Sequence, residues 1–172
     1  MFRVGEKIVY PFHGIGEVKS IEKKEFKEEL VPYYIIRIET TGMVVMMPVV
    51  NAEKLGIRKI VDKKTVMKAL EVIDDEKTMK PSDWKVRYQN YLELLKSGSI
   101  IDTAQVVKNL FFRSLIKELP LMEKKLYENA VKLLVDEAAL ALNENPDHVK
   151  KKLLQKLKAN VPEETQINNL QN

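Results

Sequence analysis

Residues 7–21, KIVYPFHGIGEVKSI, set the interpretation of the first half of the chain. The segment opens with a short β-rich run over Lys7–Pro11 and passes through HGIG, whose two glycines permit a tight turn. A second alternating run follows over Glu17–Ile21. Two β-rich runs on either side of a glycine turn are typical of an antiparallel hairpin, so the chain is predicted to begin with β-structure.

Two further strands are predicted downstream. The charged segment Glu22–Glu29 has little to bury and is interpreted as a hairpin tip. Tyr33–Glu39 is rich in β-branched and aromatic residues, and Met43–Met47 continues as a strand until Pro48, which cannot donate to a sheet ladder. Short strands at roughly ten-residue spacing predict a small antiparallel barrel or sheet over residues 1–60.

The run MVVMM (residues 43–47) is apolar at every position. A strand with one face on the core should alternate, so the apolar residues on its other face need cover. The cover is either the protein's own second domain or a partner chain. Methionine is common at adaptable binding surfaces, and an edge strand can extend the sheet of a partner by strand addition. The sequence leaves both kinds of cover open.

From about residue 51 onward the hydrophobic pattern has the period of helices. A short amphipathic helix over residues 63–73 and a charged stretch that ends at Pro81 predict a helix and linker over residues 61–81. The last residues, 160–172, are poor in apolar side chains and are predicted to be a flexible tail.

Four more helices are predicted to form a compact domain over residues 82–159. Their starts are marked by Ser82 as an N-cap, by Ile100, by Pro120 and by the pair Asn145–Pro146. Gly98 is expected to end the first of them. The apolar stripe of that helix is predicted to comprise Trp84, Tyr88, Tyr91, Leu92 and Leu95.

The residue inventory argues against an enzyme and against a metal site. The 172 residues include no cysteine, and the two histidines, His13 and His148, belong to different predicted domains. No phosphate-binding loop and no nucleophile elbow occur, so no cofactor is expected. The apolar runs are too short to span a bilayer and the N-terminus lacks the layout of a signal peptide, which predicts a cytoplasmic protein without membrane contact.

The net charge of +4 is unevenly distributed. Residues 1–76 contain 13 basic and 13 acidic residues, whereas residues 77–132 contain 11 basic and 6 acidic ones. Such an asymmetry favours a polyanionic partner, although a solvated basic surface on the helices accounts for it equally well.

The basic segment also contains the only tryptophan, Trp84, in the first turn of its predicted helix. A protein that distorts duplex DNA at the minor groove needs cations for the phosphates and a flat apolar side chain to separate a base step. Lys85 and Arg87 lie beside Trp84, and Lys124 and Lys125 open the fourth helix. The alternatives are that Trp84 belongs to the core and that the lysines are merely solvated.

Several phrases taken together resemble the CarD/CdnL family of bacterial transcription regulators. They are VYPFHGIGEVKSIE, the apolar strand that runs into Pro48 and NAEKLGIR, SDWKVRYQNYLELLKSGS, VVKNLFFRS, LPLMEKK and LLVDEAALAL. They occur in the family's order over roughly residues 2–155. The N-terminal part is also similar to the polymerase-binding module of transcription-repair coupling factors, but this chain lacks their motor.

The resemblance implies a Tudor-like, SH3-like barrel followed by a compact helical domain. It implies that the barrel docks on the RNA polymerase β subunit and that the helical domain contacts the upstream edge of the promoter bubble, which stabilises the open complex. The polymerase-binding residues would be Lys24, Val44, Val45, Met46, Met47 and Pro48. The residues in contact with promoter DNA, along its minor groove and largely independently of sequence, would be Trp84, Lys85, Arg87, Lys124 and Lys125.

The chain departs from the family pattern at several of these positions. Lys24 stands where an arginine is common, which keeps the charge but loses the bidentate fork. Met46 stands where another arginine is often found, and Val86 and Gln89 lack the usual basic character. We expect a monomer, and the alternative function is a protein-only interaction adaptor without DNA contact.

Overall fold

The computed structural model describes residues 1–75 and 83–161. Part of the predicted linker, residues 76–82 with the predicted N-cap Ser82, and nearly all of the predicted tail, residues 162–172, lie outside the described residues. The chain divides into two compact units, Met1–Ile60 and a second that begins at Val61. The first is built of strands and the second of helices, so the predicted α+β class is confirmed.

The first unit is a five-stranded antiparallel sheet with the strand order β4-β3-β2-β1-β5. Its strands are β1 (Lys7–Tyr10), β2 (Gly14–Phe26), β3 (Glu29–Ile38), β4 (Val44–Pro48) and β5 (Arg58–Lys59), with one short 3₁₀ turn (Val49–Asn51) after β4. The short strand β5 was not predicted from the sequence. The apolar strand β4 lies at one edge of the sheet, which the sequence analysis left open.

The charged segment predicted as a hairpin tip belongs instead to two long paired strands. After one register shift between Val18 and Ser20, β2 and β3 stay paired out to Phe26 and Glu29, so only Lys27 and Glu28 form the turn. Both turn residues have positive φ, 50° and 66°. A two-residue turn with both φ angles positive matches the right-handed twist of paired strands, and it therefore allows the hairpin to continue through polar sequence.

The core of this unit lies on one face of the sheet. It comprises Phe2, Ile8, Val18, Tyr34, Ile36, Ile38, Met47, Ala52 and Ile57. The backbone N–H of Phe2 donates to the Tyr34 hydroxyl at 2.9 Å, which satisfies that buried polar group. Gly16 is needed for close packing, because a Cβ there would lie 2.7 Å from Cγ2 of Ile36.

The second unit contains five helices in its described part. They are α1 (Lys63–Asp74), α2 (Trp84–Lys96), α3 (Ile100–Ile116), α4 (Leu121–Leu142) and α5 (Pro146–Ala159). α3 is the most deeply buried and packs against α1, α2 and α4. α1, which the sequence analysis assigned to a connecting segment, packs against α3, α4 and α5 and so belongs to the helical unit. None of the described helices is long and apolar enough to cross a membrane.

Side chains fix several helix ends. Asp62, Ser99 and Asn145 each accept a hydrogen bond from a first-turn amide of the helix that follows. The C-terminal end of α1 is held from α3, since the ammonium of the fully buried Lys108 donates to the carbonyl oxygens of Val72 and Asp75 at 3.1 and 2.7 Å. Burial lowers the pKa of Lys108, and the charge of Asp75 opposes that shift.

Candidate functional site

The apolar side chains of strand β4 alternate between the two faces of the sheet. Met47 is only 4% exposed and belongs to the core, while Val45 packs against it. Val44 and Met46 are 60% and 53% exposed on the opposite face. Met47, predicted to contact a partner, is therefore corrected to a core residue, because the two-residue period of a strand points it inward.

The backbone of β4 is free along its outer edge. Within the sheet, all of which lies in described residues, β4 pairs with β3 alone. The N–H of Ile38 donates to the carbonyl oxygen of Met43 at 2.8 Å. Since antiparallel ladder bonds fall on alternate residues, the N–H and C=O of Val44 and Met46 face away from β3. This edge can therefore bond to another strand up to Pro48.

The outward side chains of β4 continue into an apolar face on β3. Met46 pairs with Ile35 and Pro48 pairs with Tyr33, so these side chains share the outer face of the sheet. We call Val44, Met46, Pro48, Tyr33 and Ile35 the outer apolar face. Tyr33 and Ile35 were not singled out from the sequence, although the alternation within YYII, with Tyr34 and Ile36 buried, is the signal that could have found them.

Lys24 lies on the same side of the sheet. It pairs with Val31, two residues along β3 from Tyr33, and therefore projects from the face that carries Tyr33 and Pro48. Its ammonium is exposed and lies 3.3 Å from a carboxylate oxygen of Glu22. The structure thus brings Lys24 to the face that bears the outward residues of β4, just beyond the end of that strand.

In the helical unit, Trp84 stands outside the core. The buried positions of α2 are Arg87, Tyr91 and Leu95, which recur every four residues. Trp84 is 46% exposed, and the ammonium of Lys85 lies 5.8 Å from the centre of its ring, within reach of a cation–π contact. The alternative that Trp84 is a core residue is therefore not supported by its position.

Arg87 is placed differently from the prediction. It is 4% exposed, and its Nε donates to Oε1 of Glu123 at 2.6 Å, while Glu123 itself is fully buried. The Oε2 atom of Glu123 lies 3.7 Å from Nε of Arg113, whose side chain stays about one-third exposed. Arg87 is therefore corrected from a surface cation to a buried partner of Glu123, because its position in α2 faces the first turn of α4.

The ion pair between Arg87 and Glu123 affects the pKa of the neighbouring Tyr91 and the arrangement of helices α2 and α4. Burial raises the pKa of Tyr91 to about 12, with the charge of Glu123 adding to the shift and that of Arg87 opposing it. Since Arg87 and Glu123 both lie in or next to first turns, their contact brings the N-termini of α2 and α4 together. Lys124 and Lys125 follow Glu123 and are exposed, so they stand at the same end of the helical unit as Trp84.

A cavity of about 610 Å³ opens beside Trp84. We call it the Trp84 cavity. It is lined by Asp83, Trp84, Arg87, Arg113, Lys117, Glu118, Pro120, Leu121 and Met122. The residues from the end of α3 and the start of α4 were not predicted as part of a site. Their signal in the sequence is the apolar pair Leu121–Met122 directly after a helix break, where nothing in the local pattern requires burial.

The described residues contain no group of three acidic or histidine side chains placed to hold a metal ion. His13 packs against the rings of Tyr10 and Phe12, with ring centres 4.8 and 5.9 Å away.

Comparison with known proteins agrees with both units. Residues 2–61 match the family model described as CarD-like/TRCF RID domain, and residues 68–154 match the one described as CarD, C-terminal domain. The chain is also 35% identical over 137 residues to a protein of Bacillus subtilis (strain 168) described as "Putative transcription factor YdeB". That alignment covers 80% of this chain and 90% of the relative. The Tudor-like assignment of the sheet unit is thereby confirmed, and the matches support a transcription-related role.

Proposed function

Since the chain belongs to the CarD family and has a role in transcription, we propose that it binds the RNA polymerase β subunit through the edge of β4 and the upstream edge of the promoter bubble through Trp84. In this proposal the two contacts together stabilise the open promoter complex. The observation that carries the proposal is the free edge of β4, with its outward backbone groups and its exposed Val44 and Met46.

The polymerase contact follows from the chemistry of that edge. Unpaired N–H and C=O groups at a sheet edge supply affinity when a partner strand is added, and side chains on alternate positions supply specificity. The outer apolar face provides such side chains. Lys24 adds a cation on the same face, where an acidic partner residue can approach it. An exposed apolar edge of this kind would promote aggregation in a protein that did not use it.

The DNA contact rests on the exposed indole and the surrounding cations. Trp84 stands at a helix N-terminus beside Lys85, and Lys124 and Lys125 lie at the same end of the helical unit. Such a surface can hold phosphates while the flat side chain enters an opened base step. Arg87 takes no direct part in this contact and serves it by fixing the first turn of α2.

The mechanism is a shift in population between closed and open promoter. A protein that binds the open state more tightly stabilises it by the difference between the two binding free energies. Each contact can be weak, because docking on the polymerase raises the local concentration of DNA around Trp84. At promoters whose open complex is already stable, the same interaction would slow promoter escape.

The first experiment tests the polymerase contact. Met46→Pro removes one outward N–H of β4 without removing a bond to β3, and Met46→Ala keeps that N–H while shortening the side chain. We expect Met46→Pro to weaken binding to the polymerase by at least about tenfold relative to Met46→Ala, the loss of roughly one intermolecular hydrogen bond. Equal affinities of the two folded variants would contradict strand addition at this edge.

The second experiment tests the DNA contact. Trp84→Ala should leave the circular dichroism and the polymerase affinity unchanged, since the side chain is half exposed. We expect it to shorten the lifetime of open complexes challenged with a polyanionic competitor. The expected loss of stabilisation is roughly 1–3 kcal/mol, which is what stacking of one base on an aromatic ring contributes. Wild-type lifetimes in this variant would refute the proposed role of Trp84.

A protein-only adaptor is favoured by one observation, which is the exposed apolar set around Trp84. Val86, Leu121 and Met122 are each at least half exposed. A protein partner would bind this surface with little dependence on salt. DNA binding loses affinity steeply as the salt concentration rises, because the release of counterions from the DNA then contributes less free energy. The slope of affinity against salt therefore decides between the two functions.

A further inference from the structure

The exposed edges of the sheet unit differ in how well they are protected against pairing with another strand. Beyond Val18, the outer edge of β2 carries the charged Lys23 and Glu25, and a register shift lies between Val18 and Ser20. Charged side chains and bulges both block edge-to-edge pairing. β5 is only two residues long, whereas β4 (Val44–Pro48) contains no charge and pairs with β3 in one register. Among the described strands, β4 is therefore the edge best suited to accept another strand.

The free edge of β4 is complementary to a second copy of itself. A two-fold axis sets a strand antiparallel to its own copy, so that residue i faces residue j and residue j faces residue i. With the axis at Val45, Val44 faces Met46 of the other copy. The N–H and C=O groups of Val44 and Met46 are those that point away from β3, so the two reciprocal pairs form four hydrogen bonds.

The outward backbone groups favour this register over its neighbours. With the axis at Met46, the C=O of Val44 would face Pro48, which has no N–H to donate. With the axis at Val44, the C=O of Met46 would face Gly42, whose N–H already donates to a carbonyl oxygen of β3 at 2.8 Å. The axis at Val45 is therefore the register that pairs every outward group of Val44 and Met46.

The side chains that this pairing brings together are apolar on both faces of the sheet. Val44 and Met46, 60% and 53% exposed, lie opposite each other on the outer face. Met43, which is 45% exposed, faces Met47 of the other copy on the inner face. The Arg37 positions of the two copies stand three strand spacings apart, about 14 Å, which exceeds the Debye length of about 8 Å at physiological salt. The contact therefore covers apolar surface without bringing these cations together.

We propose that β4 of one molecule pairs with β4 of a second molecule about a two-fold axis at Val45, which joins the two sheets into one. A contact of one short strand from each molecule is far smaller than the roughly 1,200–2,000 Å² buried in stable complexes, so the dimer is weak and forms at high protein concentration. At low concentration the monomer expected from the sequence prevails.

The dimer has a consequence for regulation, and this part of the inference rests on the proposed function. Pairing of two molecules occupies the same edge as the proposed polymerase contact, so a molecule in the dimer cannot add its β4 to the polymerase. The dimer thus stores molecules that are not bound to polymerase and releases them by mass action when polymerase becomes available. The self-association itself does not depend on the proposed function.

The absence of cysteine from the chain allows the register to be read by cross-linking. Val45→Cys places the two new thiols on the axis in a non-hydrogen-bonded pair, with Cα atoms about 4.5 Å apart, which suits a disulfide. Met46→Cys places them on a diagonal of about 7–8 Å, which is too long for a disulfide. We would treat each full-length variant with oxidised glutathione and follow the linked dimer on non-reducing gels. We expect Val45→Cys to cross-link at least about tenfold faster than Met46→Cys and than Met67→Cys, an exposed position on α1.

Sedimentation velocity tests the contact without a new thiol. Met46→Pro removes one N–H from each copy and therefore two hydrogen bonds from the dimer, whereas Met46→Ala keeps both. We expect the dissociation constant of the Met46→Pro dimer to be about a hundredfold higher than that of Met46→Ala, about tenfold for each bond. Polymerase binding loses one such bond, so the same comparison should give about tenfold there.

Three results would overturn the dimer. They are a wild-type protein that stays monomeric up to millimolar concentration, equal cross-linking of Val45→Cys and Met67→Cys, and faster cross-linking of Met46→Cys than of Val45→Cys. None of them touches the polymerase contact, which stands if Met46→Pro still binds polymerase more weakly than Met46→Ala.

The linked dimer separates this inference from the proposed function. Oxidised Val45→Cys should bind polymerase at least about tenfold more weakly than the same variant after reduction, because its edge is occupied. Equal binding by the oxidised and reduced protein would show that β4 is not the polymerase contact. That result would refute the proposed function at this edge and the regulatory role of the dimer, while the self-association would stand.

Discussion

Replacement of Glu123 by alanine should destabilise the helical unit more than any exposed substitution. Glu123 is fully buried, and the Nε of Arg87 donates to it at 2.6 Å from a side chain that is 5% exposed. Removal of the carboxylate takes away the acceptor that lies 2.6 Å from Nε of the buried Arg87. Arg113, at 3.7 Å, loses its partner as well but can turn its exposed part toward water.

The expected loss is about 3–5 kcal/mol, the usual cost of removing one member of a buried ion pair. Most of this cost is the desolvation of the remaining charge and not the attraction of the pair. The double variant with Arg87→Met and Glu123→Leu should therefore be more stable than Glu123→Ala alone, because it removes the buried guanidinium together with the carboxylate. Glu128→Ala, an exposed position on the same helix, should change the stability by less than about 0.5 kcal/mol.

The assay is urea denaturation followed by the emission of Trp84, which lies one turn before Arg87 and so reports the helical unit. Amide hydrogen exchange of strands β1 to β3 checks that the sheet unit is unaffected. A loss below about 1 kcal/mol for Glu123→Ala would refute the reasoning, since it would mean that water reaches Arg87. A double variant less stable than the single one would refute the assignment of the cost to desolvation.

Three further outcomes follow from the structure. Met47→Ala should cost the sheet unit about 2–5 kcal/mol whereas Met46→Ala should cost almost nothing, as measured by amide hydrogen exchange, and equal effects would contradict the assignment of their faces. Gly16→Ala should cost about 1–3 kcal/mol by the same measurement, because its methyl group would overlap Ile36, and a neutral effect would show that the core yields. Since the pKa of Tyr91 is raised to about 12 from 10.0, its neutral form is favoured in the folded state, and stability should fall from pH 10 to about 12 by up to about 1.4 kcal/mol per pH unit. Urea midpoints of Tyr91→Phe should show a shallower fall, and an identical pH profile would contradict this assignment.

Much of the architecture could be predicted from local sequence patterns. The hairpin around HGIG, the strands on either side of residues 40–42 and the helix starts at Ile100 and Pro146 agree with the structure. These features depend on turn chemistry and on hydrophobic period, which act over a few neighbouring residues. The hairpin between β2 and β3 was predicted, but its length was missed, because cross-strand pairing holds its charged residues in the ladder and no local pattern displays that pairing.

The candidate site was predicted less completely than the fold. Trp84, Lys85, Lys124 and Lys125 are exposed as the proposal requires, but their roles remain predictions. Met47 and Arg87 were assigned to surfaces and are buried. For Met47 the error arose because a run of five apolar residues conceals which parity faces the core, and only the register with β3 reveals it.

The sequence by itself determined the order and type of the elements, the basic character of residues 77–132 and the absence of cysteine chemistry. Only the tertiary structure decided which side chains of those elements are available to a partner. The physical reason is distance along the chain. Arg87 is buried by a carboxylate 36 residues away, and the edge of β4 is free because β5 pairs with β1 on the far side of the sheet. Such pairings are set by the packing of whole elements, and local propensity does not encode them.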